Sequence, residues 1–167
     1  MLYIFLVETN KNNKSDEMYI KSLLNKRYDY LGSKLKFIYL DGKGNYNKKE
    51  KEIKNLKSKY NGKTKVFMCI DLDRTDKQPY NLELNNEIMK YCRKNDFEFI
   101  WFNENIEQVF LGRSVDATCK KTEATGFFTS KKIDYMEVKN LKVREWNRKG
   151  TSNIVDVFDK YMKIKNI

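Results

Sequence analysis

The feature that most constrains the fold is a regular alternation between short apolar runs and segments in which apolar residues recur at helical spacing. The apolar runs are predicted strands, and they span 2–7, 35–40, 65–70 and 97–102. The segments with helical spacing follow them in turn and span 15–28, 48–60, 81–92 and 103–111. Because each strand is followed by a helix, this order predicts an α/β sandwich with a central, mostly parallel four-stranded sheet flanked by helices.

The C-terminal third of the chain has a less regular pattern. Residues 112–150 contain three glycines and many lysines and threonines, and no single period dominates. Ser152 or Asn153 is predicted to cap a last helix that runs through Phe158 towards Met162. We therefore expect a core over 1–111 and a helical and irregular C-terminal extension over 112–167 that packs on it. A length of 167 residues fits a single compact domain.

The absence of histidine excludes several catalytic strategies at once. A chain without histidine cannot form a Ser-His-Asp or Cys-His arrangement, a His-bearing zinc site or a histidine acid–base pair. Any catalysis must therefore use carboxylates, lysines, hydroxyl groups or a metal held by oxygen ligands.

Composition also indicates the compartment. Cys69, Cys92 and Cys119 are far apart and form no Cys-x-x-Cys pair, so neither a disulfide framework nor a zinc knuckle is expected. The longest apolar run, Met1 to Val7, has seven residues and follows no basic segment, so we expect neither a membrane span nor a signal peptide. Together these features favour a reduced, cytoplasmic protein.

Charge is distributed unevenly along the chain. The 34 Lys and Arg residues exceed the 23 Asp and Glu residues, which gives a formal net charge of +11. Residues 42–65 carry +7 and residues 117–167 carry +6, whereas residues 66–116 carry −4. Basic flanks around an acidic centre favour nucleic acid as a partner, and the alternative is that the lysines only solubilise the surface.

Acidic and amide side chains follow three of the predicted strands. Glu8 follows the first strand, Asp71 and Asp73 follow the third, and Asn103 follows the fourth, with Glu107 in the next helix. If these strands are parallel neighbours, the side chains meet at one edge of the sheet, where ligands of open α/β sheets bind. Asp71 and Asp73 point the same way if the backbone stays extended, so both could reach one cation. Oxygen ligands favour Mg²⁺ or Mn²⁺, although an Asp after a strand can instead cap a helix or a turn.

This pattern resembles the Toprim domain, which occurs in topoisomerases, primases and small nucleases. The resemblance lies in a strand ending in Glu, Ile4-Phe5-Leu6-Val7-Glu8, and a later strand ending in Asp-x-Asp, Met68-Cys69-Ile70-Asp71-Leu72-Asp73. It implies that Glu8, Asp71 and Asp73 are catalytic residues that also bind Mg²⁺ or Mn²⁺, with no other cofactor. The chain is much shorter than a topoisomerase with its tyrosine-bearing module, so a small nuclease is the member that fits.

More narrowly, residues 2–111 resemble the RloB-like family of small Toprim proteins. That family follows its fourth strand with a segment like Asn-Pro-x-Phe-Glu, and here Asn103 and Glu107 keep the spacing while Glu104 and Ile106 replace the proline and the phenylalanine. The family's first strand usually continues as Glu-Gly-x-x-Thr-Glu, whereas this chain has Glu8-Thr9-Asn10-Lys11. The resemblance implies substrate-positioning roles for Asn103 and Glu107, an ATPase partner protein, and a part in anti-phage defence by abortive infection.

The function expected from these features is metal-dependent cleavage of phosphodiester bonds in DNA or RNA. Basic side chains of the flanks would hold the nucleic-acid backbone, Lys131 and Lys132 as substrate-positioning residues, and the further candidates are Lys43, Lys48, Lys49, Lys120 and Lys121. The adjacent Phe127 and Phe128 either stack on bases or belong to the core. Two alternatives stay open: a non-catalytic, basic subunit that binds nucleic acid or forms a complex, and a hydrolase of small phosphate compounds.

Overall fold

The computed structural model describes residues 1–74 and 77–166. Six α-helices lie in this part of the chain: α1 (Ser15–Arg27), α2 (Glu50–Ser58), α3 (Pro79–Lys94), α4 (Ile106–Leu111), α5 (Lys120–Thr129) and α6 (Ile154–Phe158). The strands are β1 (Leu2–Val7), β2 (Tyr28–Asp29), β3 (Lys34–Tyr39), β4 (Thr64–Asp71), β5 (Glu98–Asn103), β6 (Thr151–Ser152) and β7 (Lys163–Ile164). None of the helices in this part of the chain has the length and apolar character that a bilayer crossing needs.

The central sheet has five strands in the order β3-β1-β4-β5-β6. The first four are parallel, and the short β6 pairs antiparallel with the end of β5. The predicted α/β class and the four parallel strands are thus confirmed, but the sheet is not limited to four strands. The sequence analysis missed β6 because two residues are too few to show an alternating pattern.

Helices cover both faces of the sheet, which explains why β1 is entirely apolar and why β4 has an unbroken apolar run over 66–70. One face, with Phe5 and Phe67, packs against α1, α5 and α6. The other face, with Leu6 and Met68, packs against α2 and α3. Because β1, β4 and β5 are parallel neighbours, the residues at their carboxyl ends lie along one edge of the sheet.

The region after residue 111 supplies several side chains to the hydrophobic core. Phe158 of α6 is fully buried, and its ring centroid lies 5.3 Å from that of Phe67 and 5.9 Å from that of Phe5. Phe127 of α5 packs against Tyr19 of α1 at 5.2 Å, whereas the adjacent Phe128 is 40% exposed. Phe127 therefore belongs to the core. The expected C-terminal extension contributes α5 and α6 to one helical layer of the sandwich, beside α1.

A side-chain amide closes part of the outer edge of β5. The backbone N–H of Trp101 donates to Asn153 Oδ1 at 3.0 Å, and Asn153 Nδ2 donates to the carbonyl oxygen of Phe99 at 2.9 Å. Asn153 directly precedes α6, which ends at Phe158, four residues before the predicted Met162. The contact therefore attaches the last helix to the sheet.

Candidate active site at the carboxyl edge of the sheet

Glu8 and Asp71 form the centre of an acidic group at the carboxyl edge. Glu8 Oε1 accepts a hydrogen bond from the backbone N–H of Asp71 at 2.7 Å. Asp71 Oδ1 accepts one from the backbone N–H of Ile106, the first residue of α4, at 2.9 Å. No donor among residues 1–74 and 77–166 bonds to the second oxygen of either carboxylate. Each side chain is thus fixed through one carboxylate oxygen, and its second carboxylate oxygen remains for a ligand.

The electrostatics of this pair favour a cation or a proton. Burial, together with the negative charges of Asp73 and Asp16, raises the pKa of Glu8 to about 8, although Lys43 lowers it. Burial also raises the pKa of Asp71 well above its ordinary value, with added repulsion from Glu8 and Asp16. Both carboxyl groups are therefore stabilised by a bound proton or by a cation placed beside them.

Asp73 lies at the same edge, but its backbone does not have the extended conformation that would point its side chain the same way as that of Asp71. Its φ of 57° is left-handed, so the backbone is not extended between Asp71 and Asp73. The Asp73 carboxylate forms an ion pair with the ammonium group of the buried Lys43, which also donates to the carbonyl oxygen of Asp71 at 2.9 Å. The expectation that Asp71 and Asp73 face one cation together loses its geometric basis, because Lys43 holds Asp73.

Asp16, in the first turn of α1, is a further acidic residue of this edge, and it is not among the predicted site residues. It is 6% exposed, and its Oδ2 accepts a hydrogen bond from the backbone N–H of Thr9 at 3.1 Å. Burial raises its pKa to about 6. A signal for its burial is present in the sequence, because Asp16 precedes Tyr19, Ile20 and Leu23 by three, four and seven residues and so shares their apolar face.

Glu107 lies in the acidic group, and its charge is matched by the C-terminal region. Its side chain is fully buried, and Lys120, the first residue of α5, places Nζ 3.2 Å from Oε2. No well-aligned hydrogen bond reaches either oxygen of Glu107 from the described residues. Burial alone would lower the pKa of Lys120, but Glu107 and Asp71 raise it above its ordinary value. Lys120, one of the lysines predicted to hold the nucleic-acid backbone, thus places its positive charge inside the site.

Of the remaining predicted site residues, Asn103 is engaged elsewhere, and Lys131 and Lys132 lie away from the central pair. Asn103 donates through Nδ2 to the carbonyl oxygen of Trp146 at 2.8 Å, which commits its amide to the C-terminal segment. Lys131 lines a groove with Asn25 and Lys26, at the end of α1 opposite to Asp16. Lys132 follows it, beyond the ten residues of α5, a helix about 15 Å long that starts at Lys120. The fold therefore brings neither lysine to the carboxylates.

The oxygen donors of the edge suit a hard divalent cation. Among the described residues, no three Asp, Glu or Cys side chains are grouped closely enough to hold a metal ion by themselves. Mg²⁺ is commonly bound by one or two carboxylates, with waters and substrate phosphates completing its ligands. Glu8 and Asp71 each have one oxygen without a hydrogen-bond donor. The pair therefore fits a Mg²⁺ ion that is bound by two carboxylates and completes its ligands with water and substrate phosphate.

Comparison of the chain with protein-family models, curated proteins and solved structures gave no match.

Proposed function

We propose that this protein is a metal-dependent phosphodiesterase that cleaves nucleic acid, with Glu8 and Asp71 as the ligands of Mg²⁺ or Mn²⁺. The observation that carries the proposal is the Glu8–Asp71 pair, two carboxylates fixed by backbone N–H groups, each with one oxygen left over. The Toprim and RloB-like resemblance supports the same assignment, since its motif includes these two residues together with Asp73.

The bound ion would supply positive charge to the phosphoryl oxygens and to the leaving alkoxide. Glu8 Oε2 can hold a proton near neutral pH, because the pKa of this carboxyl is raised to about 8, and it loses that proton when a cation approaches. Glu8 is thus suited to proton transfer as well as to ligation.

Two lysines at the edge complement a phosphate group. Lys43 holds Asp73 and the carbonyl end of β4 on one side of the pair, and Lys120 holds Glu107 on the other. Asp73 and Glu107 then act as positioning residues for these two ammonium groups. The strongly basic segments 42–65 and 117–167 each contribute one of them, which is consistent with a polyanionic substrate.

The RloB-like resemblance also supports the biological part of the proposal. We propose cleavage of DNA or RNA in anti-phage defence, in the cytoplasm and together with an ATPase partner.

The test combines metal binding with cleavage. Mn²⁺ binding is measured by electron paramagnetic resonance for wild type, Asp71→Asn and the control Glu52→Gln, which alters an exposed carboxylate of α2. Single-stranded and duplex DNA and RNA are then incubated with Mg²⁺, Mn²⁺ or EDTA. We expect Mn²⁺ binding and cleavage by wild type and by the control, and neither by Asp71→Asn. Equal Mn²⁺ binding by Asp71→Asn and wild type, or cleavage that EDTA leaves unchanged, overturns the proposal.

A second candidate is a non-catalytic subunit that binds nucleic acid. The observation in its favour is that Lys43 and Lys120 already neutralise Asp73 and Glu107 inside the protein. It predicts nucleic-acid binding without Mn²⁺ binding. The remaining alternative, a hydrolase of small phosphate compounds, predicts turnover of p-nitrophenyl phosphate and no dependence on polynucleotide length.

A further inference from the structure

A cavity with aromatic walls opens at the part of β5 that no strand covers. Its volume is about 740 Å³, within the range of small-molecule sites, and it lies between α3 and residues 144–147. Trp101 and Phe99 of β5 form one wall, and Trp146 forms another, with its ring close to perpendicular to both. Trp146 and Phe99 are only half-buried, so aromatic surface is open to a ligand.

Polar donors surround this aromatic surface. The indole N–H groups of Trp101 and Trp146 find no acceptor among the described residues. Arg93 of α3, Arg144 and Lys160 lie on the rim, and none of them pairs with a carboxylate in the described part of the chain.

Three acidic residues also lie on the rim. Glu98 is engaged by Lys65, at 3.3 Å, and by the hydroxyl group of Tyr161, at 2.5 Å. Glu145 accepts a hydrogen bond from Asn147 at 3.3 Å, and Asp156 lies in the first turn of α6. Arg93, Arg144 and Lys160 thus have no carboxylate partner among the described residues. Lys65 neutralises Glu98, one of the three acids.

One short segment connects the cavity with the carboxyl edge of the sheet. The carbonyl oxygen of Trp146 accepts the hydrogen bond from Asn103, the last residue of β5. Three residues further on, Lys149 places Nζ 2.5 Å from Oε1 of Glu104. The segment 146–149 therefore contacts both the carboxyl edge of the sheet and the cavity.

We propose that this cavity binds an unpaired base of single-stranded nucleic acid, with the base against the ring of Trp146 and a flanking phosphate near Arg144. Aromatic faces bind bases of any sequence by stacking, arginines add charge and cation–π contacts, and the indole N–H groups can donate to base edges. A duplex is excluded because its bases are already stacked and paired. The proposal rests on the proposed function in one respect, since the bound strand would be the substrate of the Glu8–Asp71 site.

Tryptophan fluorescence provides a direct test, because both tryptophans of the chain line the cavity. Wild type in EDTA is titrated with single-stranded oligodeoxyadenylate, with single-stranded oligoriboadenylate, and with each strand annealed to its complement. We expect quenching by the single strands and much less by the duplexes. The relative strength of the DNA and RNA arms then shows which nucleic acid the cavity prefers.

Substitutions give the affinities, measured by fluorescence anisotropy of labelled strands. Trp146→Ala is expected to weaken binding about tenfold, and Trp146→Phe less, because a phenyl ring still stacks. Arg144→Ala alters an exposed residue without removing core contacts and is expected to weaken binding several-fold. The matched control is Tyr135→Ala, which alters an aromatic residue that is 89% exposed and lies outside the cavity, and it should leave affinity unchanged. Circular dichroism checks that each variant is folded.

Absence of quenching overturns the proposal, whether or not anisotropy detects binding elsewhere. Equal affinities for Arg144→Ala, Trp146→Phe and Tyr135→Ala also overturn it. The metal-free conditions separate this result from the nuclease proposal. Quenching without any cleavage in Mg²⁺ or Mn²⁺ supports base binding in the cavity and overturns the nuclease proposal. Cleavage without quenching supports the nuclease proposal and overturns base binding in the cavity.

Discussion

The Glu8 carboxylate accepts a hydrogen bond from the backbone N–H of Asp71, with 2.7 Å between Oε1 and N. This contact joins the carboxyl ends of β1 and β4, two central strands of the sheet, so no loop conformation is needed to hold the two acids together. A site supported by strands is positioned more accurately than one supported by loops. It also leaves two acidic groups close together, which has measurable consequences for stability.

We expect the protein without divalent cations to lose stability as the pH rises from about 4.5 towards 8. The pKa of Glu8 is raised from 4.5 to about 8 in the folded state, so the folded protein binds the proton more tightly than the unfolded chain over this interval. Stability then falls with increasing pH. Thermal unfolding in EDTA across this range should show a smaller fall for Glu8→Gln than for wild type. Identical pH dependence of the two, with Glu52→Gln as the control, would contradict the raised pKa.

Removal of Lys120 should destabilise the protein strongly, because Glu107 is fully buried and would lose its cation. Lys120→Met is expected to cost about 3–5 kcal/mol in the free energy of unfolding, a typical value for breaking one side of a buried ion pair. Combining it with Glu107→Gln should restore much of that loss, since the uncompensated charge is then gone. Urea unfolding of the two single variants and the double variant measures this coupling. Additive effects would show that the two side chains do not depend on each other.

Asp159 attaches the C-terminal region to α1, and its contribution should disappear in acid. Burial alone would raise the pKa of Asp159, but hydrogen bonds from Tyr28, Lys142 and Arg27 outweigh it and lower the pKa below its ordinary value. The stabilisation is therefore present above that ordinary value and is lost as the pH falls through the lowered one.

We expect Asp159→Asn to cost about 2 kcal/mol at neutral pH. The difference between wild type and Asp159→Asn in urea unfolding should shrink as the buffer is made acidic. A difference that stays constant with pH would mean that the carboxylate charge plays no part.

Phe158 tests whether the C-terminal third is integral to the fold. The Phe158→Ala substitution removes a fully buried ring from between Phe5, Phe67 and Tyr28, and it is expected to cost about 3–5 kcal/mol. The control Phe128→Ala, at a position 40% exposed, should change stability by less than about 0.5 kcal/mol. A fragment ending at residue 111 should be unfolded by circular dichroism, and a folded fragment would contradict this assignment.

The sequence was sufficient to predict the parallel strands and the residues at their ends. Buried parallel strands have nearly unbroken apolar runs, and Glu8 and Asp71 mark where two of these runs end. The backbone turn at Asp73 was not predictable, because an Asp-x-Asp spacing does not determine φ. Lys120 could not be distinguished either, since it is one of twelve basic residues after position 116 and only the packing of α5 on α1 brings it to Glu107.

The amide of Asn153 has a consequence for behaviour at high concentration. It occupies the carbonyl oxygen of Phe99 and the N–H of Trp101, two groups that the outer edge of β5 would otherwise offer to a strand from another molecule. An exposed strand edge offers unpaired N–H and C=O groups to a strand of another molecule, and such pairing leads to aggregation. One asparagine side chain thus protects this edge against self-association and leaves the neighbouring aromatic surface open.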